Sequence, residues 1–410
     1  MTFSRLSIPL FGFVAVSLNC AFCATLPVSA TPPPTPEATG SLTGQLAKGS
    51  AYDTLWSIPQ LYKNDANPIL EEFAIQGQLQ AQCAYGSADN GEYGSGDRPN
   101  SSTWGDVEVR RFRLGLKGRM FRFIKFHSLI DLYPDLSPRI YKGIAETYLT
   151  FAPSDAFNLS LGKAELKFTR EQEISSREIL PFERSQLVNL FYGGELTGAW
   201  VSGKNLGGGW LYELGVFGND RQDEWTEFNG GAMILTKVGY NYTASTHFDL
   251  AQAELQYLHN TQPGYVGSTG LASPSFTDCI ALSNDLTQGH FSLATELFWG
   301  DGADQRPNVA GLTVMPAYFL SEKLQLVTTF QVAASSGDNG ISLPTRYEGQ
   351  IDLPTSEKSG DTFLAGYAGL NYYFYGHKLK VMTGVQFSHL SGGEEDFNGW
   401  TWLGGFRTSF

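Results

Sequence analysis

The chain has 410 residues, of which 46 are glycine and only 17% are charged, and it carries a formal net charge of −13. That balance argues against duplex nucleic acid as a partner. No stretch after the N-terminal segment approaches the roughly 18 uninterrupted apolar residues that a membrane-spanning helix needs, and the mean hydropathy is slightly negative. A transmembrane barrel survives both tests, because alternation halves the hydropathy of each strand.

At the N-terminus, Arg5 forms a thin basic region and Leu10 to Ala24 is mostly apolar. Small residues allow cleavage after Cys23, Ala24 or Ala30, so residues 1–24 are expected to be a signal peptide, with cleavage as late as 30. Cys20 lacks the small preceding residue of a lipoprotein signal. Pro32 to Pro36 make a stiff spacer, and residues 31–70 read as a periplasmic lead-in with a short helix near Trp56. Export leaves two cysteines, Cys83 and Cys279, each inside an expected strand and read as small wall residues rather than a disulfide.

Alternation begins with Phe73, Ile75, Leu79 and Ala81 and is clearest over 107–131. There Phe112, Leu114 and Leu116 alternate with Arg111, Arg113, Gly115 and Lys117. Ile124, Phe126, Ser128 and Ile130 then alternate with Lys125, His127, Leu129 and Asp131, and a short join at Gly118-Arg119 predicts a hairpin. In a soluble sandwich the apolar face would meet a second sheet. In an outer-membrane barrel it meets lipid and the cations face a watery lumen.

Sixteen candidate strands follow one another from 72–85 to 400–410; without the two weakest, 189–202 and 275–285, there would be 14. Short joins at 118–119, 153–155, 203–207, 244–245, 286–288, 320–322 and 376–377 alternate with longer polar stretches at 86–105, 133–141, 169–188, 219–230, 260–274, 301–307, 336–361 and 391–399. A sandwich has no reason to alternate in this way. The expectation is an all-β, 16-stranded antiparallel transmembrane β-barrel over 71–410, with short periplasmic turns and long extracellular loops. In the last strand Trp400, Trp402, Phe406 and Phe410 share one face, as an interfacial aromatic girdle would. The terminal Phe410 is similar to the assembly signal of bacterial outer-membrane proteins, which implies the barrel-assembly machinery as a partner.

Residues 104–142 hold nine Lys/Arg against four Asp/Glu. Arg111, Arg113, Lys117 and Lys125 fall on the lumen face, either as a pore-lining strip selective for anions or as ordinary lumen polarity. Alternation puts Arg110 toward lipid, and a bulge there would turn it inward. In and beside 169–188, Lys167, Arg170, Arg177 and Arg184 balance Glu171, Glu173, Glu178 and Glu183, which predicts self-pairing within that loop. Other loops are acidic, with Asp220, Asp223, Glu224 and Glu227 in one and Glu394, Glu395 and Asp396 in another. The six histidines have no metal spacing, and neither a nucleophile elbow nor a phosphate-cradling loop appears, so no enzyme, metal or cofactor is expected.

Ile75-Gln-Gly-Gln-Leu-Gln80, Val109-Arg-Arg-Phe-Arg-Leu-Gly-Leu-Lys-Gly118, Ala145-Glu-Thr-Tyr-Leu149, Leu159-Ser-Leu-Gly-Lys163 and Ser175-Ser-Arg-Glu-Ile-Leu-Pro-Phe-Glu-Arg184 resemble the phosphate-selective porin O and P family, and Gly369 to Phe374 fits more loosely. The resemblance implies a trimeric 16-stranded barrel whose third long loop, about 169–188 here, folds into the pore. It also implies a constriction lined by Arg110 and Arg111, by the loop residues Ser175, Ser176 and Arg177, and by nearby lysines. Gln78, Gln172-Glu173 and Gly143-Ile144 depart from the family pattern at three charged positions, which weakens the case for a tight phosphate site. The expected function is a porin of the bacterial outer membrane, passing small hydrophilic solutes with a modest preference for anions such as phosphate. A non-selective or carbohydrate-type porin is the alternative, with a structural or adhesive barrel and a barrel enzyme further off. The expected partners are the solutes, outer-membrane lipid and a homotrimer of the chain itself.

Overall fold

The computed structural model describes residues 50–88, 103–134, 139–267, 269–344, 346–348, 359–393 and 396–410. The expected signal peptide, the first part of the lead-in and the acidic pair Glu394-Glu395 lie outside the described residues. The chain enters through helix α1 (Ala51–Ser57) and the short strand β1 (Gln60–Lys63). Seven long strands come next: β2 (Leu70–Ala88), β3 (Thr103–Met120), β4 (Ile124–Leu132), β5 (Tyr141–Ser154), β6 (Phe157–Glu165), β7 (Glu195–Leu206) and β8 (Trp210–Gly218). Six more follow: β9 (Ala232–Asn241), β10 (Leu250–Asn260), β11 (Phe276–Gln288), β12 (Phe291–Gly302), β13 (Val309–Phe319) and β14 (Leu324–Ser335). A two-residue pair, β15 (Ile341–Ser342) and β16 (Ser359–Gly360), interrupts one loop before β17 (Thr362–Tyr373), β18 (Leu379–Ser391) and β19 (Phe397–Ser409).

β2 to β14 and β17 to β19 make the sixteen barrel strands, each antiparallel to its neighbours in sequence. β19 then pairs with β2, from Gly399↔Ala88 to Ser409↔Gln78, so the sheet has no open edge among these strands. Both of the weaker expected strands are present, as β7 and β11. At the seam Phe410 N donates to Gly77 O at 3.1 Å and Gly77 N to Phe410 O at 3.0 Å. The Phe410 ring lies over Gly77, where an added Cβ would come within 2.4 Å of the ring, so only glycine fits under the terminal residue.

Alternation sorts the side chains as a barrel requires. Leu79, Leu114, Leu116, Leu161, Leu214 and Leu255 are exposed on the outer face, whereas Gln76, Gln78, Gln80 and Gln82 of β2 are buried inside. Aromatic pairs mark both rims of the apolar band, with Phe123 and Phe151 5.2 Å apart near the turns and Tyr85 and Trp400 5.8 Å apart near the loops. The lead-in helix is capped by Ser50 in a capping box with Asp53. Its Tyr52 stacks on Tyr375 at 5.6 Å, and Trp56 Nε1 donates to Ser409 O at 2.7 Å, which ties the lead-in to the closing strand.

Several turns fall a few residues beyond the expected joins. Gly118-Arg119 lies within β3, and the chain reverses at 121–123, where Phe121 and Arg122 have φ of 53° and 68°. Gly118 is needed for packing, since a Cβ there would sit 2.3 Å from the Phe126 ring across the ladder. The left-handed turn is held instead by Arg122 N, which donates to both Glu71 carboxylate oxygens at 3.0 and 3.1 Å. β7 likewise continues to Leu206 before a Gly207–Gly209 turn, and β11 runs to Gln288 before Gly289 turns the chain.

An epitope inserted at Gly264 in the β10–β11 loop should be reached by protease added to intact cells, and one at Gly208 should be reached only after lysis. The reverse pattern would invert the topology. At the seam, deleting Phe410 or making Gly77→Leu should each lower the yield of heat-modifiable barrel several-fold without blocking export. Undiminished yield from both would show that the Phe410–Gly77 contact does not govern closure.

Candidate functional site: the narrowed lumen

The site begins with a bulge. Gln80 pairs with Arg111 and Ala81 with Val109, which leaves Arg110 as an extra residue in β3 and turns both arginines inward. Arg110 Nε lies 3.0 Å from Glu183 Oε1, and Nη2 donates to Oε2 at 3.4 Å. Arg111 Nη1 donates to Gln80 Oε1 at 2.8 Å. Arg113 is held by Asp131 at 2.6 Å and by Glu195 at 3.6 Å.

Residues 166–194, between β6 and β7, carry the one-turn helices α2 (Arg170–Glu173) and α3 (Gln186–Leu190). This segment bonds to inward side chains all round the wall and therefore lies within the barrel. Gln78 Nε2 donates to Ser176 Oγ at 3.0 Å, Gln80 Nε2 to Ser176 O at 2.8 Å and Asn371 Nδ2 to Leu180 O at 2.8 Å. Farther round, Gln186 N donates to Gln331 Oε1 at 2.8 Å and Arg170 N to Glu296 Oε1 at 2.6 Å.

The segment's charges pair with the wall rather than with one another, contrary to the expected self-pairing. Arg170 meets Asp285, Glu173 meets Lys237 at 2.5 Å, Arg184 meets Glu165 at 2.8 Å, and Glu183 meets Arg110. A segment enclosed by a wall turns its side chains outward from its own backbone, and inward strand positions supply fixed partners there. Burial alone would raise the Glu183 carboxyl, but Arg110 and then Arg111 hold it well below the usual carboxylate range.

Two buried cations complete the anchoring. Lys380 Nζ donates to Ile179 O at 2.9 Å, and Arg407 donates to Ser176 O at 3.5 Å and to Phe182 O. Among the described residues neither has a carboxylate within ion-pair distance. His377, in the turn beside Lys380, is pushed down to about 3 by burial, then by Lys380 and Arg407, and stays neutral. Sequence reasoning missed both cations as functional residues. Their only signal was a charge at an inward position of a late strand, and their partners are backbone carbonyls that no side-chain pattern reveals.

Apolar residues of the segment, Leu166, Phe168, Leu187, Val188 and Phe191, pack with inward Leu196, Met233, Leu235, Phe276 and Phe298. An open cavity of about 630 Å³ remains against β3 to β8, toward the turns. Of the expected site residues, Lys117 and Lys125 line it. Arg110, Arg111 and Arg113 face inward on the same strand nearer its loop end. Arg177 Nη2 reaches Gln76 Oε1 at 3.4 Å. Ser175 is exposed, while Ser176 is buried against Gln78, so the two serines do not converge with the arginines on one anion. Lys167 also lines the cavity, as do Glu72, Glu146, Glu165 and Glu213. Glu146 lies 3.2 Å from His127 and Glu213 3.5 Å from Lys237. Among the described residues no group of three or more His, Cys, Asp or Glu converges on a point that could hold a metal, and Cys83 and Cys279 are free thiols.

A closed barrel with an apolar outer band and a lumen narrowed by an inserted segment is an outer-membrane diffusion channel. Residues 75–389 match the family described as phosphate-selective porin O and P, and the chain belongs to that family. The fold is similar to the outer membrane channel DcaP of Acinetobacter baumannii, with a TM-score of 0.55 at 11% identity over 85% of this chain and 99% of that one. It is also similar to OprB of Pseudomonas putida (TM-score 0.54, 12% identity, 82% and 94% covered) and to OmpF of Salmonella typhi (0.53, 10%, 83% and 98%). No curated protein matches the chain.

Replacing Lys380 by Met and Arg407 by Gln should loosen the 176–182 arc, leaving buried carbonyls unsatisfied at about 1–3 kcal/mol each. Single-channel conductance and open-state noise should both rise. A correctly assembled double variant with unchanged conductance would show that these cations do not set the aperture.

Proposed function

We propose that this porin passes small hydrophilic solutes with a modest preference for anions, phosphate among them. One observation carries the reading. Arg111, Lys117, Lys125, Lys167 and Arg177 lie in or beside the open lumen, and among the described residues none has a carboxylate within ion-pair distance. Field lines focus in a narrow, low-dielectric passage, so cations there outweigh charges in the wide mouth, which water screens over roughly 8 Å at physiological salt.

The same geometry argues for looseness toward phosphate. A guanidinium fork grips phosphate best when its donors are free. Arg110 spends its fork on Glu183, Arg113 on Asp131 and Glu195, and Ser176 is buried against Gln78. Arg111 and Arg177 donate only to the amide oxygens of Gln80 and Gln76 and keep further donors for an anion, with lysines below them. A non-selective or carbohydrate-type channel is the second reading, favoured by the four glutamates that share the cavity. We take the barrel to assemble as a homotrimer in outer-membrane lipid, with Phe410 read by the barrel-assembly machinery; family membership and the terminal aromatic residue support this.

In planar bilayers under a KCl gradient, wild-type reversal potentials should lie on the anion side, and phosphate should block chloride current weakly. Arg111→Gln with Lys117→Gln should move the reversal potential toward the cation side and weaken that block. A wild-type preference for K⁺, or an unmoved potential in the variant, would give precedence to the non-selective reading.

A further inference from the structure

The cavity has an aromatic side that anion selectivity does not use. His127 and Tyr148 stack with centroids 5.0 Å apart at 18°, Tyr148 meets Trp200 edge-on at 5.3 Å, and Trp200 stacks with Phe217 at 5.7 Å and 25°. All four rings line the cavity, on inward positions of β4, β5, β7 and β8.

Glycines make this row possible. Gly162 of β6 stands between Tyr148 and the strand carrying Trp200, and a Cβ there would sit 2.6 Å from Tyr148 Cα, so no side chain separates the two rings. Phe217 occupies the space a Cβ would need at both Gly198 and Gly215 and is itself 2% exposed. Phe217 therefore serves as backing, while Tyr148 and Trp200 are only half-buried.

Cations stand beside this row. Lys117 pairs across the ladder with His127, which pairs on its other side with Tyr148, so cation and ring are two strand spacings, about 10 Å, apart at the backbone. Lys125 and Lys167 line the same space, whose volume admits a single-ring molecule with room to spare for water. A solute that satisfies both sides has a flat π-face and one negative end, with a length near that of one ring plus a carboxylate. Inorganic phosphate uses only the lysines, and a neutral sugar leaves them with no counter-charge beyond the cavity's own glutamates.

We infer that this cavity is a binding site for small aryl carboxylates, with the ring against Tyr148 and Trp200 and the carboxylate on Lys117, Lys125 or Lys167. The inference rests on the anion preference proposed above and names the class of anion. The test uses the assembled channel in a planar bilayer, with chloride current titrated by benzoate, cyclohexanecarboxylate and acetate. The first two share charge and approximate size, and only benzoate has a π-face. Half-block by benzoate should need about two- to tenfold less solute than by cyclohexanecarboxylate, the range expected for one aromatic contact, and less again than by acetate. Trp200→Leu should bring the benzoate-to-cyclohexanecarboxylate ratio near one, and Tyr148→Leu should narrow it if the tryptophan variant does not assemble. Equal block by the two ring acids in wild type, or a ratio that survives the replacements, overturns the inference. The reversal potential in KCl, read from the same membranes, judges the anion preference separately. Anion preference with equal block rejects the aryl class alone, and K⁺ preference without aryl block rejects both.

Discussion

Every backbone N–H and C=O at membrane depth must find a partner inside the protein, because hydrocarbon offers none. A sheet meets that demand only by closing, and here the closure is the pairing of β19 with β2, finished by reciprocal bonds between Phe410 and Gly77. The other features follow from it. A closed wall fixes which face is inside, so the glutamines of β2 and the cations of β3 have no choice but the lumen. The lead-in reinforces the same point, since Trp56 bonds to the last residue but one.

Once the wall is closed, its interior must be divided between packing and passage. The 166–194 segment makes that division by two means. Its apolar residues meet a cluster of inward apolar residues, and its charges meet fixed partners on the wall. Breaking a buried pair of this kind costs about 3–5 kcal/mol, so several together hold the segment in one place. Charges spent on anchoring are lost to selectivity. Arg110 and Arg113 are held by carboxylates, whereas among the described residues Arg111, Lys117, Lys125, Lys167 and Arg177 have none within ion-pair distance.

The open space is consequently off-centre, against β3 to β8, with lysines next to a row of aromatic rings. That asymmetry comes from glycine as much as from charge. Rings can lie along the wall only where Gly162, Gly198 and Gly215 leave room, and these positions replace what would otherwise be ordinary inward side chains.

By itself the sequence determined the architecture, because side-chain period and loop length are local properties. Two-residue alternation, an even number of strands, short joins alternating with long ones and a terminal aromatic strand are all legible without contacts. The same reasoning placed Arg111, Arg113, Lys117 and Lys125 inside and required a bulge to bring Arg110 with them. Tertiary structure decided the pairing. Which carboxylate neutralises which arginine depends on how an inserted segment lies against strands distant in sequence, as Arg170 does against Asp285, 115 residues away. It also decided the exact turns, since Gly118 proved to serve a cross-strand ring and not the reversal. Lys380 and Arg407 grip carbonyls, and a carbonyl is the same at every residue, so no sequence pattern could have named their partners.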